Sequence, residues 1–276
     1  MIEPIVSLAE VRRDFPNAIF CDVRYAPDGS QGYHDYLRGH IPGARFVSMD
    51  EVLASKPGPI VGRHPLPSAE SFAESLGHLG LGNDDVVIAY DGSGGRFAGR
   101  LVWMLRILGQ NAALLNGGLQ AWLDQMPNEP LSSSIPQWIP CGRKVVPWPD
   151  SDIVNADDVG LAIQNGQLVV DARAPERFRG DHEPLDPKAG HIPGAKNLFF
   201  GDNYVNGGNY FKSPSELRAR FLSEGFDKAT ICYCGSGVTA CNNVLAAEAA
   251  GLPRPKIFVG SWSGWCSDDR REIATT

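Results

Sequence analysis

Several classes of protein are excluded by what this 276-residue sequence has little of. Six cysteines are too few for a disulfide-stapled scaffold, and no uncharged apolar run approaches the about 18 residues that a membrane-spanning helix needs. The net charge of −7 gives no overall basic excess for nucleic acid or an anionic membrane. The N-terminus has no basic segment followed by an apolar core, as a secretory signal would. We therefore expect a soluble cytoplasmic protein that acts on a small molecule, without a nucleic-acid or membrane partner.

The chain contains an internal repeat, which decides the predicted architecture. Residues 20–24 (FCDVR) recur as residues 169–173 (VVDAR), and the hexapeptide GHIPGA occurs at both 39–44 and 190–195. Two further matches follow in the same order, residues 89–94 with 232–237 and residues 117–122 with 260–265. Four matches in the same order indicate two domains of the same fold.

Each half alternates short Val/Ile-rich runs with helical segments, a pattern typical of a parallel sheet with helices on both faces. We predict an α/β protein of two tandem domains, residues 1–125 and 151–276, joined by a linker at 126–150 that carries six prolines. The predicted helices cover residues 68–79, 96–108, 214–224 and 238–250. Ser213, Pro214 and Glu216 form a capping-box sequence at the start of one of them.

The strongest functional signal is Cys234, which follows a strand-like run and opens a loop of small residues that leads into a helix. Gly235 and Gly237 permit backbone conformations closed to other residues, so that amide groups can converge on the sulfur. Together with the positive end of the helix dipole, these amides lower the pKa of a thiol and make it nucleophilic.

Cys234 has two alternative interpretations. It is a buried structural cysteine, as Cys232 and Cys241 are predicted to be, or it belongs to a metal site. The C-x-C-x6-C spacing lacks the paired knuckles of zinc sites, so we predict no metal and no cofactor. In the first half, Asp91 occupies the position equivalent to Cys234, and we therefore expect the first domain to be catalytically silent. The reactive site is then expected in the cleft between the domains.

The paired D-x-R and GHIPGA motifs, with an aspartate in the first loop and a cysteine in the second, resemble the tandem-domain rhodanese sulfurtransferases over essentially the whole chain. Within that family, the loop at residues 234–239 (CGSGVT) is most similar to that of enzymes that use 3-mercaptopyruvate, because Gly235 and Ser236 supply no cation for a sulfonate. The alternative donor is thiosulfate.

The resemblance implies a ping-pong transfer in which a Cys234 persulfide passes its sulfur to thioredoxin, glutathione, another thiol or cyanide. The backbone amides of Gly235, Gly237, Val238 and Thr239 would bind the transferred sulfur. The family's Ser-His-Asp relay corresponds here to Ser236, His64 and Asp50, of which His64 and Asp50 are assigned to the silent domain.

The resemblance also implies that Arg177 holds the anionic end of the donor, with Arg179 as an alternative. This sequence departs from the family at Asp186, where many mercaptopyruvate enzymes have a second carboxylate-binding arginine. We expect weaker donor binding, or recruitment of Arg179 or Lys188. Other residues that both halves share are predicted to be structural: His40, His191, Asp22, Arg24, Asp171 and Arg173.

Two further functions belong to other classes. Cdc25-like phosphatases share this fold, but their C-x5-R loop requires an arginine at the position of Ala240, and the Cys234 loop is one residue shorter. A sulfur carrier without turnover would need only the persulfide. It would not need a pocket arginine and a relay, so we predict multiple turnover. The chain is expected to be a monomer.

Overall fold

The computed structural model describes residues 1–26 and 31–276, which divide into two compact units. The first unit comprises Met1–Ser55, Pro67–Trp148 and Gly208–Phe211, and the second comprises Lys56–Leu66, Pro149–Gly207 and Lys212–Thr276. Each unit therefore contains a short segment from the other half of the sequence. His64, which we predicted to come from the first domain, belongs to the same compact unit as Cys234.

The first unit is built on a parallel five-stranded sheet of order β1-β5-β4-β2-β3. Its elements in chain order are β1 (Ile5–Val6), α1 (Leu8–Asp14), β2 (Ile19–Asp22), α2 (Gly32–Arg38), β3 (Arg45–Phe46), α3 (Ala69–His78), β4 (Val87–Tyr90), α4 (Ala98–Ile107), β5 (Ala112–Leu115) and α5 (Gly118–Gln125).

The second unit repeats this topology with a parallel sheet of order β6-β10-β9-β7-β8. Its elements are β6 (Ile153–Val154), α6 (Ala156–Gln164), β7 (Val169–Asp171), α7 (Pro175–Arg179), β8 (Lys196–Asn197), two 3-10 turns (Phe200–Asn203 and Val205–Gly207), α8 (Pro214–Ser223), β9 (Ile231–Tyr233), α9 (Ala240–Ala249), β10 (Lys256–Phe258) and α10 (Ser261–Trp265). The predicted α/β class, with two parallel sheets and helices, is confirmed.

Local sequence signals account for the main helices. The four helices that we predicted correspond to α3, α4, α8 and α9, with ends within two residues of the prediction. Ser213 accepts a hydrogen bond from the backbone N–H of Glu216, whose carboxylate in turn accepts from the backbone of Ser213, so the predicted capping box is formed. This exchange satisfies amides that a helix start otherwise leaves without a partner.

The repeated motifs pack each sheet in the same way. In the second unit, Arg173 forms a forked ion pair with Asp171 and also donates to the carbonyl of Gly190 at 2.7 Å. The ring of His191 stacks on Phe178 at 3.8 Å and hydrogen-bonds its carbonyl. The first unit makes the corresponding contacts with Asp22, Arg24, Gly39, His40 and Tyr36. The shared residues therefore hold the fold.

The proline-rich segment at 126–150 has no helix, and up to Trp148 it belongs to the first unit. The Trp138 indole N–H donates to the carbonyl of His78, and the backbone N–H of Cys141 donates to Gly77. Both acceptors lie near the end of α3, so this segment is anchored along its length. Within the described residues, no helix is long and apolar enough to cross a membrane.

Candidate active site

Cys234 is the first residue after β9, a central strand of the second sheet whose three residues are all buried. Its side chain is itself buried, with a relative exposure of 2%. Ligand sites in parallel sheets form where the carboxyl ends of the strands meet the following loops. The strand therefore places the thiol at the carboxyl end of the sheet, where ligand sites form in this class of fold.

The loop around Cys234 favours the thiolate. Burial raises the pKa of the Cys234 thiol, but the Thr239 hydroxyl and the backbone amides of Ser236 and Ala240 outweigh it, so the net pKa lies below the ordinary value. By contrast, burial raises the pKa of Cys21 to about 12 and moves that of Cys232 upward as well. The interpretation of Cys232 as a structural thiol agrees with this difference.

The two loop glycines serve different purposes. Gly237 has φ +74°, a left-handed conformation that favours glycine, as we predicted. Gly235 is not among the residues with positive φ; instead, a Cβ there would lie 3.0 Å from Nη2 of Arg63 and 3.4 Å from Nη2 of Arg177. The absence of a side chain at 235 thus lets two guanidinium groups approach the residue next to the thiol.

The start of α10 holds the Cys234 loop in place. The backbone N–H groups of Trp262 and Ser263 donate to the carbonyls of Cys234 and Gly235, both at 2.9 Å. The N–H of Cys234 donates to the Oγ of Ser261 at 3.2 Å, and that hydroxyl donates to the carbonyl of Phe258. Ser261 is buried and has φ +52°, a conformation that is uncommon for a residue with a Cβ. Our sequence reasoning identified the 260–265 repeat but gave Ser261 no role.

The structure brings two members of the predicted relay together. His64 Nδ1 lies 2.8 Å from the Oγ of Ser236, which is buried beside Cys234 in the loop. Asp50, the third member, belongs to the first unit, where burial raises the pKa of its carboxyl and a hydrogen bond from Tyr25 opposes that effect. The role of Asp50 stays a prediction.

A cluster of two arginines and two carboxylates lies beside the loop, and we call Arg63, Arg177, Glu183 and Asp186 the arginine cluster. Arg177 forms a fork with Glu183 through contacts of 2.7 and 3.1 Å, and its Nη2 lies 3.3 Å from Asp186. Nη1 of Arg63 pairs with the other oxygen of Asp186. Burial lowers the pKa of Arg63, and the like charge of Arg177 lowers it further.

The alternative cations make other contacts. Arg179 pairs with Asp181 in an exposed ion pair, and Lys188 pairs with Asp269, which is almost fully exposed. Asp186 pairs with Arg177, which we predicted, and also with Arg63, which our sequence reasoning did not select. The signal that was available is its position directly before His64.

Chemically, the site places a buried thiol of depressed pKa beside a Ser–His couple and two guanidinium groups, an arrangement suited to nucleophilic catalysis on an anionic substrate. Position 240 is the first residue of α9 and is an alanine, so the loop has no phosphate-binding arginine there. In the described residues, no group of three or more His, Cys, Asp or Glu side chains is arranged to hold a metal.

Comparison with known proteins identifies the same architecture. The family model of the rhodanese-like domain matches residues 7–125 and 155–268. A Pseudomonas aeruginosa protein named "Probable 3-mercaptopyruvate sulfurtransferase" is 40% identical, over 94% of this chain and 93% of its own. The thiosulfate sulfurtransferase of Bos taurus is 34% identical, over 87% of this chain and 82% of its own. The crystal structure of SseA from Escherichia coli, titled as a 3-mercaptopyruvate sulfotransferase, has a TM-score of 0.79 at 32% identity and covers 95% of this chain and 99% of that one.

Proposed function

The chain belongs to the rhodanese family, and from that premise we propose that it is an enzyme that transfers sulfur from 3-mercaptopyruvate through a persulfide on Cys234. The observation that carries the proposal is the depressed pKa of a buried thiol, together with the His64–Ser236 hydrogen bond and the arginines at Gly235. A buried thiol without such donors has a raised pKa and is unreactive.

In the first half-reaction, the Cys234 thiolate attacks the sulfur of the donor. An S–S bond forms, the donor C–S bond breaks, and its electron pair leaves with carbon as the enolate of pyruvate. The enolate takes up one proton to give pyruvate, and Cys234 is left as a persulfide. The His64–Ser236 couple is the proposed source of that proton, because His64 hydrogen-bonds the hydroxyl of Ser236, two residues after Cys234.

In the second half-reaction, an acceptor thiolate attacks the outer sulfur of the persulfide and Cys234 returns to its thiolate form. The proposed acceptors are thioredoxin, glutathione and cyanide. Amides of Gly235, Gly237, Val238 and Thr239 support the proposal as donors to the terminal sulfur, since amides of the same loop already lower the pKa of the thiol. A reducing compartment such as the cytoplasm suits the six cysteines, which are all free thiols.

Residues 151–276 are the proposed catalytic domain, and residues 1–125 are the proposed silent one because Asp91 cannot form a persulfide. The donor is tested by steady-state transfer from 3-mercaptopyruvate and from thiosulfate in parallel, with Cys234→Ser as the control. We expect the larger kcat/KM for 3-mercaptopyruvate and no transfer by the serine variant, whose hydroxyl has far too high a pKa to replace the thiolate.

A larger kcat/KM for thiosulfate would make this chain a thiosulfate sulfurtransferase, like its bovine relative. One stoichiometric burst of persulfide on Cys234 without turnover would indicate a sulfur carrier. Turnover that persists in Cys234→Ser would contradict the proposed mechanism altogether.

A further inference from the structure

The part of the active site that the sequence leaves unexplained is the anion-binding end, because Asp186 stands where a second arginine was expected. We propose that Arg63 supplies the missing guanidinium and determines specificity for a donor with a carboxylate, and that Asp186 is its anchor. The inference rests on the proposed function for the identity of the donor, while the anion site itself depends only on the geometry described below.

The backbone of Arg63 is fixed to the helix that also fixes the cysteine loop. Its N–H donates to the Oγ of Ser263 at 3.1 Å, and the N–H of Ser263 donates to the carbonyl of Gly235. Gly62 has φ +86°, and a Cβ there would lie only 2.5 Å from the carbonyl of Gly260. An antiparallel bridge between Gly58 and Gly62 closes the turn that leads to Arg63. Arg63 is therefore held in place relative to Cys234 through α10.

The side chain of Arg63 is aimed at the loop. Nη1 is occupied by Asp186, while Nη2 comes within 3.0 Å of the point where a Cβ of Gly235 would lie. Nη1 of Arg177 reaches within 3.5 Å of the same point. In the described part of the chain, neither of these two nitrogens is used in a hydrogen bond. Both guanidinium groups thus present unused N–H donors beside the residue that follows the nucleophile.

Within the arginine cluster, the carboxylates are more deeply buried than the guanidinium groups. The side chains of Asp186 and Glu183 are 2% and 3% exposed, whereas those of Arg63 and Arg177 are 29% and 18% exposed. The carboxylates therefore lie behind the guanidinium groups, which face the accessible side. The two carboxylates already balance the two guanidinium charges, so a further anion is bound through the unused N–H donors, and a carboxylate matches the planar fork of a guanidinium.

Arg63→Ala is the test, and Arg270→Ala is the matched control, because Arg270 forms an ion pair with Asp268 in the same unit but is 80% exposed. The readout is the ratio of the rates at which iodoacetate and iodoacetamide alkylate Cys234, followed on the Cys234 peptide by mass spectrometry. The two reagents deliver the same carbon to the thiolate, but only iodoacetate carries a carboxylate. No sulfur donor is needed.

We expect Arg63→Ala to lower this ratio about tenfold, the effect of a lost charge-assisted hydrogen bond, and to raise KM for 3-mercaptopyruvate by a similar factor. Arg177→Ala should lower the ratio as well, Arg63→Lys should give an intermediate value, and Arg270→Ala should match the wild type. The lysine variant keeps the charge and the ion pair, so it remains informative if the alanine variant folds poorly.

A wild-type ratio in both Arg63 variants, with a reduced ratio in Arg177→Ala, would overturn the inference and leave Arg177 as the only anion ligand of the two. A reduced ratio in a protein that does not turn over 3-mercaptopyruvate would support the anion site while refuting the proposed donor. Failure of the Arg63 inference and failure of the proposed function are therefore distinguishable.

Discussion

The Asp91 loop of the first unit and the Cys234 loop of the second have the same local architecture. Both follow a central strand, and both converge backbone amides on the first side chain after it. The carboxylate of Asp91 accepts hydrogen bonds from the N–H groups of Ser93, Gly95, Phe97 and Ala98, at 2.7 to 2.9 Å. In the second unit, the thiol of Cys234 occupies the corresponding place.

The comparison extends to the helix that braces each loop. The N–H of Leu119 donates to the carbonyl of Asp91 at 2.9 Å, as that of Trp262 does to Cys234. The preceding residues, Gly118 and Ser261, share a left-handed φ, of +57° and +52°. A Cβ at Gly118 would lie 2.5 Å from the carbonyl of Asp91, whereas Ser261 keeps its Cβ and bonds the loop through Oγ.

The two loops thus share backbone amides directed at the first side chain after the strand, and they differ in whether that side chain is a carboxylate or a thiol. The carboxylate of Asp91 accepts four backbone hydrogen bonds, so the amides of its loop are already paired. A thiolate is a nucleophile, and the Cys234 loop accordingly has Ser236, His64 and two arginines beside it. The predictions below test this comparison.

The largest effect is expected when Cys234 is replaced by aspartate, the residue at the equivalent position of the first unit. Cys234→Asp should abolish transfer, because a carboxylate cannot form a persulfide, yet the loop amides keep an acceptor. Cys234→Ala should abolish transfer too, but it leaves buried amides without a partner, at a cost of about 1–3 kcal/mol. We expect urea denaturation to show the aspartate variant to be the more stable one at pH 7. The reverse order of stability would mean that the second loop is not an anion site like the first.

The next effect concerns the proposed proton-transfer couple of Ser236 and His64 beside Cys234. His64→Ala should lower kcat about 10²-fold with little change in KM, because general acid catalysis is lost while donor binding is kept. Single-turnover release of pyruvate would measure this step, with His182→Ala as the control, since His182 is exposed in the same unit.

Asp50→Ala decides how far the relay extends. A comparable loss of kcat would support a three-member relay, and a wild-type kcat would confine proton transfer to Ser236 and His64. If His64→Ala itself keeps the wild-type kcat, the relay has no part in the reaction.

A smaller effect is expected at Ser261, where the two units differ by one side chain. Ser261→Gly removes the Oγ that accepts from Cys234 N–H, and the loop donors that lower the pKa of the thiol become less well aligned. The pKa of Cys234 should therefore rise, the pH midpoint of its alkylation should move upward, and transfer at neutral pH should fall about fivefold.

Ser261→Ala is the matched variant, because it removes the hydroxyl but retains the Cβ at positive φ. It should show the same upward pH midpoint as Ser261→Gly and a lower stability, since only glycine relieves the backbone strain. Unchanged midpoints in both variants would limit Ser261 to a purely structural contact.

The smallest effect on activity is expected at the Asp91 loop. Asp91→Ala leaves four backbone amide donors without their acceptor, two of them in buried hydrogen bonds, and should lower the free energy of unfolding of the first unit by about 3 kcal/mol, while kcat at Cys234 stays unchanged. Asp84→Ala, at an exposed loop residue of the same unit, should change stability by less than about 0.5 kcal/mol. A large loss of kcat in Asp91→Ala would show that the first unit is not silent.

Much of this protein follows from short stretches of sequence. The repeat, the α/β class and the four predicted helices depend on hydrophobic periodicity, turn glycines and caps, which act within a few residues of each other. Cys234 was identifiable for the same reason, because the strand, the loop and the helix that surround it are contiguous.

The rest depended on contacts between distant segments, which no local pattern encodes. Ser236 and His64 are 172 residues apart in sequence, and Arg63 and Asp186 are 123 apart. The segment Lys56–Leu66 lies inside the first half of the sequence, yet it groups with the second unit, so proximity in the chain does not show that His64 lies in the same compact unit as Cys234.

The sequence by itself thus determined the fold class and the duplication, and it singled out Cys234 as the predicted nucleophile. Only the tertiary structure decided which side chains surround that nucleophile: His64 at Ser236, Arg63 at Gly235 and Ser261 at the N–H of Cys234. The physical reason is that backbone hydrogen bonds and apolar periodicity act locally, whereas a site is assembled from loops whose positions are fixed by the packing of the elements between them.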